Sequence, residues 1–592
     1  MAFPRSRRLR APLAAVLALV LLAGCGGGGS AGSGGSAGSG GSTGSGGSSG
    51  SGSGPAPAPD PAPEPPPAVE PTGAEIEAAS KFVAQASFGM PFEDIVDVAR
   101  EDPEAWIERQ FQLPPTRHLP IVLRYGDEFG YSFESPPFPG TYPRFAFFEN
   151  AMLAPDQLRQ RVAYALTQIF VVSGRTAQIG DDAAALASYY DMLLEGAFGN
   201  FRDLLLDVSL SPVMGFYLSH VNNARRDPVA NTFPDENYAR EVMQLFSIGL
   251  FELNPDGSRR LDAEGRPIPT YDNGDIREFA KVFTGLSYGR DFEGNPTFFG
   301  RQNPVFYEPM IMFEEFHEPG EKRLLNGQVI PAGQSGMEDI EDAVDNLFMH
   351  PNVGPFIGRL LIQRLVKSNP SPAYVARVAA AFAGDGQTPR GDMRAVIRAI
   401  LLDPEARGTP ADAAPGDGKV REPFLRWLQM HRAIGAVSSD GTFPVGGFRV
   451  EFFTGQYVLN APSVFNFYLP DYTPPGVLAD EGLVAPELQI VTDSTVVGWA
   501  NLVASMLFGE TSAETPDGLA EVRLDLLEWE ALADDPQALV DRIDTVFTYG
   551  ALSDATRGAI LDAIAPIEND RATRARVALY LALVSPDYVV EL

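Results

Sequence analysis

The chain has 592 residues, a single cysteine, and 77 acidic against 45 basic side chains, for a net charge of −32. An acid excess of this size argues against nucleic acid and anionic lipid headgroups as partners, because both are held by basic patches. One cysteine excludes an internal disulfide, so stability has to come from packing, for which the length is ample.

Arg5, Arg7, Arg8 and Arg10 precede an apolar run over 11–22, and Leu22-Ala23-Gly24-Cys25 follows. That is the anatomy of a secretory signal over 1–24, with an apolar run shorter than the roughly 20 residues that span a bilayer. The last four residues resemble a lipobox, which makes Cys25 the lipid-bearing residue and the membrane a partner through that lipid. The alternative is a plain secretory signal with an incidental cysteine. By resemblance to lipoprotein sorting, Gly26 after the cysteine points to the outer membrane. Removal of 1–24 takes four arginines and no acid with it, leaving a net charge of −36.

Residues 26–54 contain only Gly, Ser, Ala and Thr, a coil expected to span roughly 30 Å. Residues 55–71 are proline-rich and predict a stiffer spacer of roughly 50 Å, at about 3.1 Å per residue. A linker over 25–73 and a folded region over 74–592 follow, with a sub-boundary expected near 435–460.

Helical periodicity dominates the folded region. Helices are predicted over 76–87, 92–100 and from 103 to 111, then from Pro155, as a first-turn proline, to about 172. The same pattern marks 183–197, 201–208, 236–248, 276–286, 337–349, 353–367, 372–383 and 393–402. It marks 422–433, 488–507, 536–547 and 571–583 as well. Asp275 with Glu278 has capping-box spacing, and Ser371 before Pro372 is an N-cap followed by proline. Strand signals are few: two turn formers within 251–270 predict a small β-hairpin excursion. The fold class is mainly α.

The segment Pro234-Asp235-Glu236-Asn237-Tyr238-Ala239-Arg240-Glu241-Val242-Met243-Gln244-Leu245-Phe246 resembles the large bacterial family catalogued as domain of unknown function 1800. Ala197-Phe198-Gly199-Asn200-Phe201, Phe283-Thr284-Gly285, His350-Pro351-Asn352-Val353-Gly354 and Ala461-Pro462-Ser463-Val464-Phe465-Asn466-Phe467-Tyr468 fit the same family, in its order. The resemblance implies an exported, mainly helical protein and no particular activity. It also implies an exported sulfatase-like protein as a partner. A His-Asp pair commonly follows the threonine-glycine motif in that family; here the corresponding place is His317-Glu318.

On a helix over 236–248, Asn237, Arg240, Glu241 and Gln244 form one polar stripe opposite Tyr238, Val242, Leu245 and Phe246. The stripe suits a polar ligand, with Glu241 as a general base or metal ligand. A solvated face with pairs such as Glu236–Arg240, or a buried structural network, explains it as well. Pro319 rules out a zincin helix at His317, so 316–322 reads as a loop presenting His317, Glu318 and Lys322. If that loop covers the stripe, Glu241 and His317 converge on a divalent metal. His220, beside Asn222 and Asn223, is a further candidate there; His118, His350 and His431 have no ligand-like neighbours in sequence. Asp256, Asp262, Glu264, Asp272 and Asp275 read mainly as turn and cap residues, since their spacing is not that of an EF-hand. Two functional readings follow. The first is a surface-tethered binding or assembly protein for a protein or glycan. The second is an extracytoplasmic, metal-dependent hydrolase acting on polysaccharide or its modifications.

Overall fold

The computed structural model describes residues 70–592 apart from 129–139, 292, 297, 300–303, 411–412, 414–415 and 510–519. The expected signal peptide, Cys25 and the expected linker therefore lie outside the described residues, except for the linker's last few. Residues Ala68–Leu592 form one compact unit, and the architecture is mainly helical, with strands only in short antiparallel pairs. Among the described residues no helix is long and apolar enough to cross a membrane.

Folded structure starts where the polar linker composition ends. Thr72 caps the helix Gly73–Ala86, and its capping-box partner is Glu75. Helices with clear amphipathic patterns form where they are expected, and Pro372–Ala383 and Arg571–Leu583 match end for end. Several boundaries differ, and three of the differences are informative. The helix expected from Pro155 runs over Gln157–Thr167; Asp156 turns its carboxylate to the Thr116 N–H at 2.9 Å rather than capping, and all eleven helical residues are buried. The capping box lies three residues earlier than its spacing suggested, with Asp272 as cap and Asp275 as partner on Asn273–Val282. The helix expected over 236–248 is only Asn237–Gln244.

Two helices that periodicity does not mark, Leu119–Glu128 and Tyr142–Leu153, pack with Ala183–Gly196 around a small apolar cluster of their own. Most of Tyr142–Leu153 is buried on all sides, so it has no polar face to create a period. Most of the remaining buried apolar residues form one continuous core from Ala79 to Tyr588. The excursion at 251–270 consists of isolated antiparallel bridges, Phe251 to Pro269, Leu253 to Arg259 and Leu261 to Pro267. Asp256 and Asp262 accept backbone N–H groups within its turns.

Distant segments are stitched together at the centre. Ala436–Ser438 pairs with Val522–Leu524, and the C-terminal Val590–Glu591 pairs with Lys419–Val420. Beside that last pair, Glu422 is fully buried and accepts from Tyr164 Oη at 2.9 Å, Gln168 Nε2 at 2.8 Å and Gln456 Nε2 at 2.6 Å. Burial works to raise its pKa, but Lys419, Arg364 and Arg161 outweigh that and hold the carboxyl below its ordinary value.

Candidate functional site

The polar stripe divides in the structure. Asn237 is exposed, Arg240 and Gln244 are half-buried, and Glu241 is buried. Arg240 pairs with Glu236 at 3.6 Å, both about two-fifths exposed, the ordinary one-turn ion pair of a helix surface. Glu241 faces the protein because Tyr238, Ala239, Val242 and Met243 all pack inward, a buried face that reaches round to Ala239 and Met243, beyond the Tyr238 and Val242 expected on it. Burial raises its carboxyl pKa, Arg240 offsets this only in part, and Oε2 has no hydrogen-bond partner.

The His317 loop turns inward as well. His317 and Lys322 are buried, and Glu318 is half-buried with its N–H on Thr284 Oγ1. Asp339, from the helix Gly336–Phe348, receives both: His317 Nε2 lies 2.8 Å from its Oδ2 and Lys322 Nζ 2.5 Å from the same oxygen. The other ring nitrogen of His317 meets the Thr284 carbonyl at 2.8 Å. Both ring nitrogens of His317 therefore lie against groups of the protein. No hydrogen bond among the described residues joins this cluster to Glu241, and no group of three or more His, Cys, Asp or Glu side chains suited to a metal occurs among them. His220 is also spoken for in part: it stacks on Tyr238 with ring centres 3.8 Å apart and bonds the Ser209 carbonyl through Nε2 at 2.9 Å.

A different histidine, His118, borders a cavity. His118 sits just before the helix Leu119–Glu128, and Asp191, on Ala183–Gly196, clamps that junction. Asp191 Oδ1 accepts the His118 backbone N–H at 2.6 Å and lies 3.1 Å from Nδ1, while Oδ2 accepts the Leu119 N–H at 2.9 Å. A carboxylate on Nδ1 assigns the proton to that nitrogen and leaves a lone pair on Nε2. That Nε2 is buried and has no partner. His118 lines a cavity of about 390 Å³.

The cavity is walled by rings. Tyr190 lies 4.3 Å and Phe147 6.0 Å from the imidazole, centre to centre, and Tyr457 and Phe448 line the cavity as well. Arg144, at the start of Tyr142–Leu153, places its guanidinium 4.2 Å over Tyr457 and 4.7 Å over Phe448 and pairs with Glu451 at 2.5 Å. Asn460 donates to the other Glu451 oxygen. One wall depends on glycine: a Cβ on Gly180 would fall 2.0 Å from the Gly174 carbonyl oxygen. An apolar cavity with a few convergent polar groups has the makeup of a small-ligand site.

Sequence patterning missed this site. His118 and Asp191 are 73 residues apart, and the helix that supplies Arg144 carries no periodic signal. One trace was legible: Asp191 shares a helix face with Ala187 and Leu194, where an acid is out of place unless it has partners.

A family model described as "Protein of unknown function (DUF1800)" matches residues 81–590. No curated protein and no solved structure matches the chain.

Proposed function

We propose that this chain, which belongs to the DUF1800 family of proteins of unknown function, is an envelope binding protein that seats a sugar-sized group of a glycan in the His118 cavity. The observations that carry this reading are an aromatic-lined cavity to which His118 contributes, and a His118 Nε2 that is buried without a protein partner. A buried acceptor without a donor costs about 1–3 kcal/mol, which a ligand hydroxyl donating to Nε2 would recover. The surrounding rings suit the apolar face of a sugar. The same reading takes Cys25 as the lipid anchor and 26–71 as the spacer that lifts the cavity from the membrane.

Saturation-transfer NMR of the Cys25→Ser chain against mono- and oligosaccharides tests the cavity. Binding that weakens about tenfold or more in His118→Gln, a loss of ~1.4 kcal/mol, supports it. Binding indifferent to His118, or none at millimolar sugar, overturns it. The anchor has its own test: Cys25→Ser should move the protein from the membrane to the soluble fraction.

Asp191 favours a second reading, hydrolysis. A histidine with Nδ1 held by a carboxylate is set to take a proton from water at Nε2 as the water oxygen attacks an ester or acetal carbon. The departing alcohol would then take that proton back. Turnover of chromogenic sugar esters or glycosides, lost in His118→Gln and reduced in Asp191→Asn, would promote this reading over simple binding.

A further inference from the structure

Lys322 and Asp339 meet more closely, and in more chemical company, than charge balance requires. Lys322 opens the two-residue strand Lys322–Arg323, which pairs with Val329–Ile330, and Asp339 lies in the first turn of the helix Gly336–Phe348. Their side chains are 1 % and 0 % exposed, and Lys322 Nζ lies 2.5 Å from Asp339 Oδ2. His317 Nε2 is 2.8 Å from that same oxygen, and Nζ also donates to the Gly320 carbonyl at 3.0 Å. Oδ1 of Asp339, by contrast, is buried without a hydrogen-bond partner. A carboxylate that serves as a counter-charge gains most when its donors are spread over both oxygens, since a buried oxygen left bare costs free energy. Here an amine and an acid–base group converge on one oxygen and leave the other unengaged, the arrangement of a reaction rather than of a clamp.

We propose that Lys322 and Asp339 are the two halves of an intramolecular isopeptide bond, a cross-link that the folded chain forms within itself. The proposal is independent of the His118 cavity. Its steps balance without any further reactant. The ammonium passes one proton to Oδ2, which leaves an amine with a free lone pair against a carboxylic acid. Neither charge is stabilised by bulk water at this depth, so the transfer gives up less than it would at the surface. The Nζ lone pair then adds to Cγ of Asp339. Nζ releases a second proton, which reaches Oδ2 by way of His317 Nε2, and the Cγ–Oδ2 bond breaks as water leaves. Nζ keeps its last hydrogen, Oδ1 becomes the amide oxygen, and the histidine ends as it began. Fixing amine and acid in contact replaces a chance encounter, an advantage that reaches effective molarities of about 10⁵–10⁸ M for well-oriented groups. The product ties the His317 loop and its strand pair to the helix Gly336–Phe348.

Intact mass spectrometry of the purified, folded Cys25→Ser chain should show a mass one water below that calculated from its residues. Trypsin should then release residues 302–323, uncut after Lys322, joined to residues 324–359. Lys322→Arg keeps the positive charge and lacks the amine, so it should have its full calculated mass and a lower melting temperature. In cell-free synthesis, His317→Gln should lose the water about a hundredfold more slowly than wild type. Full mass in the folded wild-type chain overturns the proposal. So does a loss of water that maps elsewhere, for instance to an aspartyl-glycine imide. A link that forms as fast in His317→Gln overturns the part given to the histidine.

Discussion

Two histidines of this protein each have one ring nitrogen against an aspartate, His118 with Asp191 and His317 with Asp339, and what meets the other nitrogen separates them. For His317 it is the Thr284 carbonyl at 2.8 Å, and Asp339 is shared with Lys322, so the cluster is closed within the protein. For His118 no protein partner meets it, and the residue lines a cavity. Burial, pairing with an acid and residue type are the same in the two places. The difference is one ring nitrogen without a protein partner, and on the proposed reading that is where a ligand acts.

The comparison makes graded predictions, the largest at the closed pair. Asp339→Asn leaves Lys322 buried without its counter-charge, and urea unfolding should show a loss of ~3–5 kcal/mol. If Asp339→Asn proves as mild as Asp191→Asn, the distinction between a structural and a ligand-facing pair fails.

Next comes His220, whose Nε2 meets the Ser209 carbonyl while its Nδ1 is buried without a partner. Burial pushes its pKa down to about 4, although the bond to the Ser209 carbonyl acts in the opposite direction. A histidine whose folded pKa lies below its unfolded value near 6.5 binds its proton more readily when unfolded. Its contribution is therefore full above about pH 6.5 and is lost as pH falls toward 4. It amounts to roughly 3 kcal/mol. Unfolding free energies measured from pH 7 to pH 4 should fall by that amount more in wild type than in His220→Phe, which keeps the stack on Tyr238.

At the open pair, Asp191→Asn weakens charge-assisted bonds to two backbone N–H groups and the ring, and should cost ~1.5–3 kcal/mol. His118→Gln should change stability by less than Asp191→Asn while removing ligand binding. That split between stability and binding is the mark of a ligand-facing residue.

Glu241→Gln should be stabilising at neutral pH, because burial raises the Glu241 pKa and the ionised form is the disfavoured one in the fold. The sign follows from linkage: a carboxyl with a raised folded pKa contributes most at acid pH and loses that contribution as pH rises through the folded value. The gain in the variant should therefore disappear below about pH 4, which paired unfolding curves at pH 7 and pH 4 would show. Arg240→Ala, on the exposed side of the same helix, should change stability by at most ~0.5 kcal/mol.

Much of the helical framework was readable along the chain, and the gaps have physical causes. Pro372–Ala383 is announced by Ser371 and a first-turn proline, and Asn273–Val282 by aspartates whose capping role was clear though placed three residues late. Tyr142–Leu153 was silent because it is apolar nearly all round, and it is the helix that brings Arg144 to the cavity. For the site, residue type pointed to His317 and Glu241, which have the local company of acids and amides. His118 is preceded by Pro114-Pro115-Thr116-Arg117, and none of these hints at Asp191.

Local chemistry along the chain was enough for the helical class, the family resemblance, the acidic character and the position of most helix starts. These depend on contacts three or four residues apart and on side chains that cap their own backbone. Only the packed structure decided which histidine is spent and which is open. That depends on whether a second acceptor or a cavity meets the ring, and the groups concerned come from helices brought together by burial of faces that are far apart in sequence.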